Sequence, residues 1–159
     1  MSTFATIATK INGMLMDVPD SNFVAHQQIQ IYPANHPITL NQKWTIVDGS
    51  NGTVPLPAGY VNIYSGEDPS NHLCLDIPDS STKPKTLIQL YPANGPGGSK
   101  NQQWKLIPAG NNYVYIASAL NENLVLDVIG DSGAARTKIQ IYDRGNNKPN
   151  QLWILNPVS

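Results

Sequence analysis

The chain has 159 residues, of which 40% are hydrophobic and 13% are charged, and its formal net charge is −1. This near-neutral balance excludes the electrostatic basis on which proteins bind nucleic acids or anionic membranes. The length and the apolar content suit one domain with a single core, and no apolar run approaches the roughly 18 residues that a transmembrane helix needs.

Short strand-like runs follow one another along the whole chain. They lie at residues 4–8, 45–47, 60–64, 105–107, 113–117 and 153–155, and three further runs with alternating apolar and polar residues begin at Ile29, Ile88 and Ile139. Thirteen prolines and twelve glycines interrupt any helical period. The pattern therefore predicts an all-β protein with four short strands per repeat.

Three segments of the chain share one motif. Each has an Asp in an apolar strand, an Ile-Gln-x-Tyr run whose Gln follows the Asp by thirteen residues, and then Asn-Gln-x-Trp. The copies carry Asp17, Gln30, Tyr32, Asn41, Gln42 and Trp44; Asp76, Gln89, Tyr91, Asn101, Gln102 and Trp104; and Asp127, Gln140, Tyr142, Asn150, Gln151 and Trp153. We predict one domain, 1–159, with repeats of approximately 1–54, 55–110 and 111–159. Threefold closure by hairpins is a β-trefoil, whereas an open sheet would leave exposed edges.

The motif also predicts three shallow binding sites. Strand alternation puts the Asp, the Gln and the Tyr of each copy on the solvent side of adjacent strands, with the Asn at the rim. A carboxylate accepts charge-assisted hydrogen bonds from neighbouring hydroxyl groups, an amide both donates and accepts, and a tyrosine offers a flat apolar face. These are the groups that a pyranose ring requires, and the small contact area predicts single-site dissociation constants of about 0.1–10 mM.

The whole pattern resembles the repeat of ricin B-type (QxW) lectins, and the resemblance covers essentially the entire chain. It implies a β-trefoil that is not an enzyme and that binds galactose or N-acetylgalactosamine at up to three sites, without a metal or a cofactor. By this resemblance the Asp, the aromatic residue and the Asn of each copy bind the sugar, with the Gln of Ile-Gln nearby. The Gln and the Trp of Asn-Gln-x-Trp then have structural roles. Glycans of glycoproteins or glycolipids are the implied partners, and clustered sites imply multivalent binding.

The third copy departs most from the other two. Its loop, residues 143–148, is shorter and charged, and its second acidic residue, Asp131, lies four positions after Asp127. Asp20 and Asp79 lie three positions after theirs. The stacking residue is Tyr in every copy, where Trp is common in the family. Sugar binding is therefore least expected at the third site.

The cellular context is predicted from the cysteine content and the N-terminal residues. Cys74 is the single cysteine, so no intramolecular disulfide forms, and no secretory signal precedes the first strand. Both features predict a cytoplasmic protein. Release from the cell by a non-classical route remains an alternative. The sequence also leaves open whether the protein forms a homodimer. The implied similarity to fungal cytosolic lectins suggests a role in defence. The three histidines are interpreted as surface loop residues rather than as metal ligands.

Two other functions remain as alternatives. Some β-trefoils inhibit proteases through one exposed loop, and the candidate loops are residues 48–57 and 92–100. A glycoside hydrolase needs two carboxyl groups about 5 Å apart in the retaining case, and Asp17 with Asp20, or Asp76 with Asp79, would supply such a pair. Both alternatives are disfavoured because the polar set is repeated in all three copies, which is typical of recognition.

Overall fold

A computed structural model describes residues 4–49, 55–66 and 72–158. Within these residues it contains twelve β-strands, six short 3-10 turns and no α-helix. The predicted repeat boundary at residue 54 and the central part of the candidate inhibitory loop 48–57 lie outside the described residues. The strands are β1 (Phe4–Thr9), β2 (Leu15–Asp17), β3 (Gln30–Tyr32), β4 (Trp44–Asp48), β5 (Tyr60–Ser65), β6 (Leu73–Asp76), β7 (Gln89–Pro92), β8 (Trp104–Pro108), β9 (Val114–Ser118), β10 (Asn121–Val128), β11 (Ile139–Asp143) and β12 (Trp153–Val158).

Six of the strands close into a barrel. Strand β1 pairs with β12 and β4, β4 pairs with β5, β5 with β8, β8 with β9, and β9 with β12, all antiparallel. Closure leaves none of these strands at a free sheet edge. Each repeat therefore contributes its first and fourth strands to the barrel, which is the arrangement of a β-trefoil.

The second and third strands of each repeat form a hairpin, and the three hairpins contact one another. Single β-bridges join them pairwise: Gln28 with Gln89, Gln30 with Lys138, and Leu87 with Gln140. Within each hairpin, the Asp of the motif is directly opposite its Gln. This register explains the constant spacing of thirteen residues, because in each copy a connection of the same length joins the paired Asp and Gln.

The strands predicted from alternation are present. Five of the six runs named above extend beyond the predicted ends, and the run at 113–117 is shifted by one residue to Val114–Ser118. The prediction of four strands per repeat is confirmed, and the fold class is the predicted β-trefoil.

The three tryptophans lie in the core and connect the fourth strand of each repeat to its hairpin. All three side chains are fully buried. Each indole Nε1–H donates to the backbone oxygen of the residue before the motif Asp: Trp44 to Met16 at 3.1 Å, Trp104 to Leu75 at 3.3 Å and Trp153 to Leu126 at 3.2 Å. Because the Asn-Gln pair lies just before the Trp in the sequence, this anchor holds the pair beside the Asp.

Candidate functional site

One carboxylate per repeat accepts three hydrogen bonds from amide side chains. Asp17 Oδ1 accepts from Gln30 Nε2 at 2.9 Å, and Asp17 Oδ2 accepts from Asn41 Nδ2 at 3.1 Å and from Gln42 Nε2 at 3.0 Å. The other two repeats form the same network at 2.9–3.1 Å, with Asp76, Gln89, Asn101 and Gln102, and with Asp127, Gln140, Asn150 and Gln151. We call each of these an Asp network.

The prediction that the Asp and Gln side chains face solvent was wrong. Asp17, Asp76 and Asp127 are 2%, 2% and 3% exposed, and Gln30, Gln89 and Gln140 are also buried. Alternation does turn these side chains away from the apolar core. However, the 3-10 turn that carries Asn-Gln folds back over the same face and covers it. The tyrosines Tyr32, Tyr91 and Tyr142 remain partly exposed.

The Asn-Gln pair also connects the hairpin to the loop between the motif Tyr and Asn, which is residues 33–40 in the first repeat. Asn41 Nδ2 donates a second hydrogen bond to the Val18 backbone oxygen at 3.2 Å, and Gln42 Nε2 donates to the Pro33 oxygen at 2.9 Å. Gln42 Oε1 accepts from the Asn35 backbone N–H at 2.9 Å. Gln102 and Gln151 accept equivalent bonds from the loops of their own repeats. Both amide hydrogens of Asn41 are therefore used inside the protein, and its Oδ1, which accepts from the Thr39 hydroxyl, has one acceptor position left for a ligand.

Three depressions in the surface lie at the three Asp networks. Their volumes are about 270, 360 and 640 Å³ for the first, second and third repeat. All twelve residues predicted to bind sugar line them, in sets of four from one repeat: Asp17, Gln30, Tyr32 and Asn41; Asp76, Gln89, Tyr91 and Asn101; and Asp127, Gln140, Tyr142 and Asn150. Each depression is thus an open pocket with a buried carboxylate at its base and a tyrosine at its side.

Each pocket also includes one residue from the preceding repeat, which was not predicted from the sequence. Arg136 lines the first pocket, His26 the second and Lys85 the third. The three are structurally equivalent, with φ of 73°, 73° and 75°. Their backbone N–H groups donate at 2.8 Å to oxygens of the hairpin that each one meets. A signal was present in the sequence, because each lies four positions before the motif Gln. We call these the cross-repeat residues.

The cross-repeat residues of the first two pockets contact the tyrosine. The Arg136 guanidinium carbon is 5.4 Å from the Tyr32 ring centroid. The His26 ring centroid is 5.2 Å from that of Tyr91, and His26 Nδ1 lies 3.2 Å from Gln89 Oε1. Both tyrosines therefore have a neighbour from another repeat, which fixes one side of the pocket.

Burial affects the acidity of the carboxylates. Desolvation raises the pKa of Asp17 above its usual value of 3.8, although hydrogen bonds from Gln30 and Gln42 oppose the rise. Desolvation raises the pKa of Asp127 in the same way, against hydrogen bonds from its own amide partners. The charged form of these groups is disfavoured by burial and favoured by the donors around it, and burial is the larger effect.

The third pocket differs from the other two at its rim. Thr39 and Ser99 donate a hydroxyl hydrogen to Asn41 Oδ1 and Asn101 Oδ1, whereas Lys148 occupies the equivalent position before Asn150. Gly130, with φ of 65°, stands where Asp20 and Asp79 stand in the other repeats, and Asp131 follows it. The expected difference in the third copy is thus a change of rim residues around an unchanged Asp network.

The described residues contain neither a metal-binding cluster nor a membrane-spanning helix. No group of three His, Cys, Asp or Glu side chains in this part of the chain is arranged to hold a metal ion. None of the elements described is a helix of sufficient length and apolar character to cross a membrane.

The sequence matches the model of one protein family. The model described as "Ricin-type beta-trefoil lectin domain-like" matches residues 40–142 and 101–159. The chain belongs to this family. The three-hairpin arrangement described above agrees with this assignment, and no curated protein sequence matches the chain.

Solved structures support the ricin-type fold. ThreeFoil, a designed threefold symmetric protein, has a TM-score of 0.83 and 22% identity, over 98% of this chain and 99% of that one. An exo-β-1,3-galactanase from Clostridium thermocellum has a TM-score of 0.82 and 27% identity, over 98% of this chain but 30% of the galactanase. The C-half of an earthworm R-type lectin, in complex with GalNAc, has a TM-score of 0.68 and 22% identity, over 98% and 99%.

Proposed function

We propose that the protein is a lectin whose three pockets bind galactose or N-acetylgalactosamine. The bound sugar is not changed chemically. The observation that carries the proposal is the threefold repetition of a buried Asp network beside a partly exposed tyrosine. A structural role alone requires neither the tyrosine nor an opening beside each carboxylate. The earthworm lectin, whose structure contains GalNAc, is a relative of the same fold.

The free hydrogen-bonding groups of each pocket suit sugar hydroxyls. An ionised carboxylate has about four acceptor positions, and the amide side chains occupy three of them at Asp17. One position on Oδ1 therefore remains for a hydroxyl donor. Gln30 donates one of its two amide hydrogens to Asp17, so the other is available to a hydroxyl acceptor. A pyranose with two adjacent hydroxyls satisfies both groups at once.

The tyrosine supplies the apolar contact. The rings of Tyr32, Tyr91 and Tyr142 are partly exposed beside the carboxylates. The face of galactose that carries C–H groups packs on such a ring, and its hydroxyls then point toward the Asp network. Each pocket is small and open, so affinity per site is expected in the range of about 0.1–10 mM. Three pockets on one rigid barrel raise the avidity for clustered glycans of glycoproteins or glycolipids by about 10²-fold.

The geometry does not favour catalysis by the carboxylates. Asp17 is buried and accepts three hydrogen bonds, whereas Asp20, its candidate partner in a hydrolase, is exposed on a turn with φ of 54°. A general acid needs a proton that it can deliver to the glycosidic oxygen. A carboxylate enclosed by three amide donors is instead held as an acceptor, which suits recognition.

A glycan array with labelled protein tests the proposal, with free galactose and N-acetylgalactosamine as competitors. We expect binding to glycans with terminal galactose or N-acetylgalactosamine, and its loss on competition. The variant Tyr32→Ala/Tyr91→Ala/Tyr142→Ala should lose the binding, whereas the matched Tyr→Phe triple variant should retain it because the ring faces are unchanged. Absence of binding to every glycan by a correctly folded protein would contradict the proposal.

A further inference from the structure

Two lysines line the third pocket, whereas one arginine lines the first pocket and one histidine lines the second. Lys85 reaches it as the cross-repeat residue, and Lys148 occupies the position held by Thr39 and Ser99 in the other repeats. The pocket is also the largest of the three, at about 640 Å³. Compared with the other two pockets, the third thus has both an additional positive charge and a larger volume.

The two lysines are not engaged by the protein in the way that the other cross-repeat residues are. The guanidinium of Arg136 lies over the Tyr32 ring, and His26 contacts the ring of Tyr91. Lys85 and Lys148 are exposed, and within the described residues neither forms a side-chain ion pair nor lies over an aromatic ring. Their ammonium groups are therefore available to a ligand.

The Lys148 side chain passes close to a neighbouring glycine, Gly145. A Cβ atom at Gly145 would lie 2.8 Å from both Cδ and Cε of Lys148, which is closer than such atoms approach. The aliphatic part of Lys148 therefore lies along the loop at Gly145. This is the same loop whose Gly145 N–H is held by Gln151 at 2.7 Å.

The third pocket has two carboxylates beside its two lysines, whereas the first pocket has two carboxylates beside one arginine. Asp127 is buried and accepts three amide hydrogen bonds, and the charge of Lys148 lowers its pKa less than these hydrogen bonds do. The rim carboxylate found at Asp20 and Asp79 is replaced by Gly130, and Asp131 is displaced by one position. A ligand that enters the third pocket thus meets two lysines and one carboxylate, Asp131, near its mouth and an acceptor at its base.

We propose that the third pocket binds a sugar with an anionic substituent, a carboxylate or a sulfate, which Lys85 and Lys148 neutralise. Tyr142 and Asp127 then hold the ring as in the other pockets. This inference rests on the proposed lectin function and assigns the sites different ligands. Surface ion pairs contribute modestly, so two of them predict a preference for the anionic sugar of roughly 2- to 30-fold.

Backbone amide NMR of the whole protein tests this proposal, since it reports each pocket separately. The signals of Gly130 and Gly145 report the third pocket, those of Asn35 the first and those of Asn94 the second. The probes are methyl β-galactoside, methyl β-galacturonoside and galactose 6-sulfate, so that carboxylate and sulfate are distinguished. We expect the signals of Gly130 and Gly145 to give a dissociation constant about tenfold lower for one or both anionic probes than for the galactoside. The preference should disappear in 1 M salt, where the Debye length is about 3 Å.

The variant Lys85→Gln/Lys148→Gln should bind the anionic probes and the neutral galactoside with equal affinity in the third pocket. The matched control Lys83→Gln/Lys100→Gln removes the same charge from positions that do not line the third pocket, and it should keep the preference. Response of the first two pockets to galactoside together with a preference below about twofold in the third would overturn this inference alone. Survival of the preference in the Lys85→Gln/Lys148→Gln variant would overturn it as well. Absence of any response in all three pockets, to all three probes, would overturn both this inference and the lectin function.

Discussion

Replacing Asp17 with Asn should destabilise the protein, because the buried carboxylate accepts from three converging donors. Gln30, Asn41 and Gln42 donate to it at 2.9, 3.1 and 3.0 Å. An Asn side chain has one oxygen, so at least one donor will face an NH₂ group. In the most favourable orientation the Asn oxygen takes the place of Asp17 Oδ2 and still accepts from Asn41 and Gln42. The Asn NH₂ group then takes the place of Oδ1 and faces the NH₂ group of Gln30.

The expected loss follows from the hydrogen bonds affected. A hydrogen bond to a charged group contributes about 1.5–3 kcal/mol, and a neutral one about 0.5–1.5 kcal/mol. One charged bond is lost and two become neutral, while the desolvation cost that raises the pKa of Asp17 is relieved. We expect the free energy of unfolding to fall by about 2–4 kcal/mol. This is a substantial part of the roughly 5–15 kcal/mol that is typical of a domain.

Urea denaturation followed by tryptophan fluorescence is the suitable assay, since all three tryptophans are buried and bonded beside the Asp networks. The matched control is Asp20→Asn. Asp20 is exposed with φ of 54°, a conformation that Asn tolerates, so its effect should stay within about 0.5 kcal/mol. If Asp17→Asn were as stable as Asp20→Asn, the description of a carboxylate enclosed by amide donors would be incorrect.

Three further predictions concern the binding surface, its titration and the cysteine. Tyr32→Ala should abolish the response of the first pocket to galactoside in NMR while the second pocket stays unaffected, and loss at both pockets would contradict independent sites. Because burial raises the pKa of Asp17 and Asp127, the folded state binds more protons than the unfolded state between pH 3.8 and the raised values. Their contribution to stability therefore falls as the pH rises through that interval. Sugar affinity, which needs the ionised form, should fall as the pH is lowered through the same interval; calorimetric titrations that show constant affinity down to pH 3.8 would refute this. Burial raises the pKa of the Cys74 thiol to about 12, so iodoacetamide should leave it unmodified at about pH 8 in the native protein and alkylate it in urea, as mass spectrometry will show.

Most of the fold was predictable because three copies of one motif restrict the possibilities strongly. Period-2 alternation located the strands, and the constant spacing from Asp to Gln reflected the hairpin register in which Asp17 is opposite Gln30. The four polar residues of each pocket were also predictable as a group. They lie on two adjacent strands and on the turn that precedes the buried tryptophan.

The sequence could not predict which segment covers a strand face, or which residues of another repeat line a pocket. Alternation separates the two faces of a strand, but the burial of Asp17 depends on a turn that returns over it from residues 40–42. The roles of Arg136, His26 and Lys85 depend on how neighbouring hairpins meet around the barrel. Their shared spacing before the motif Gln becomes meaningful once that packing is known.

A crystal structure of the protein with the methyl glycoside of N-acetylgalactosamine, at a concentration well above about 10 mM, tests the central claim most directly. We expect sugar density in the first and second pockets, with the ring against Tyr32 or Tyr91 and a hydroxyl within hydrogen-bonding distance of Asp17 or Asp76. Density for the sugar elsewhere on the surface, with both of these pockets empty in accessible lattice positions, would contradict the claim that the Asp networks form the binding sites.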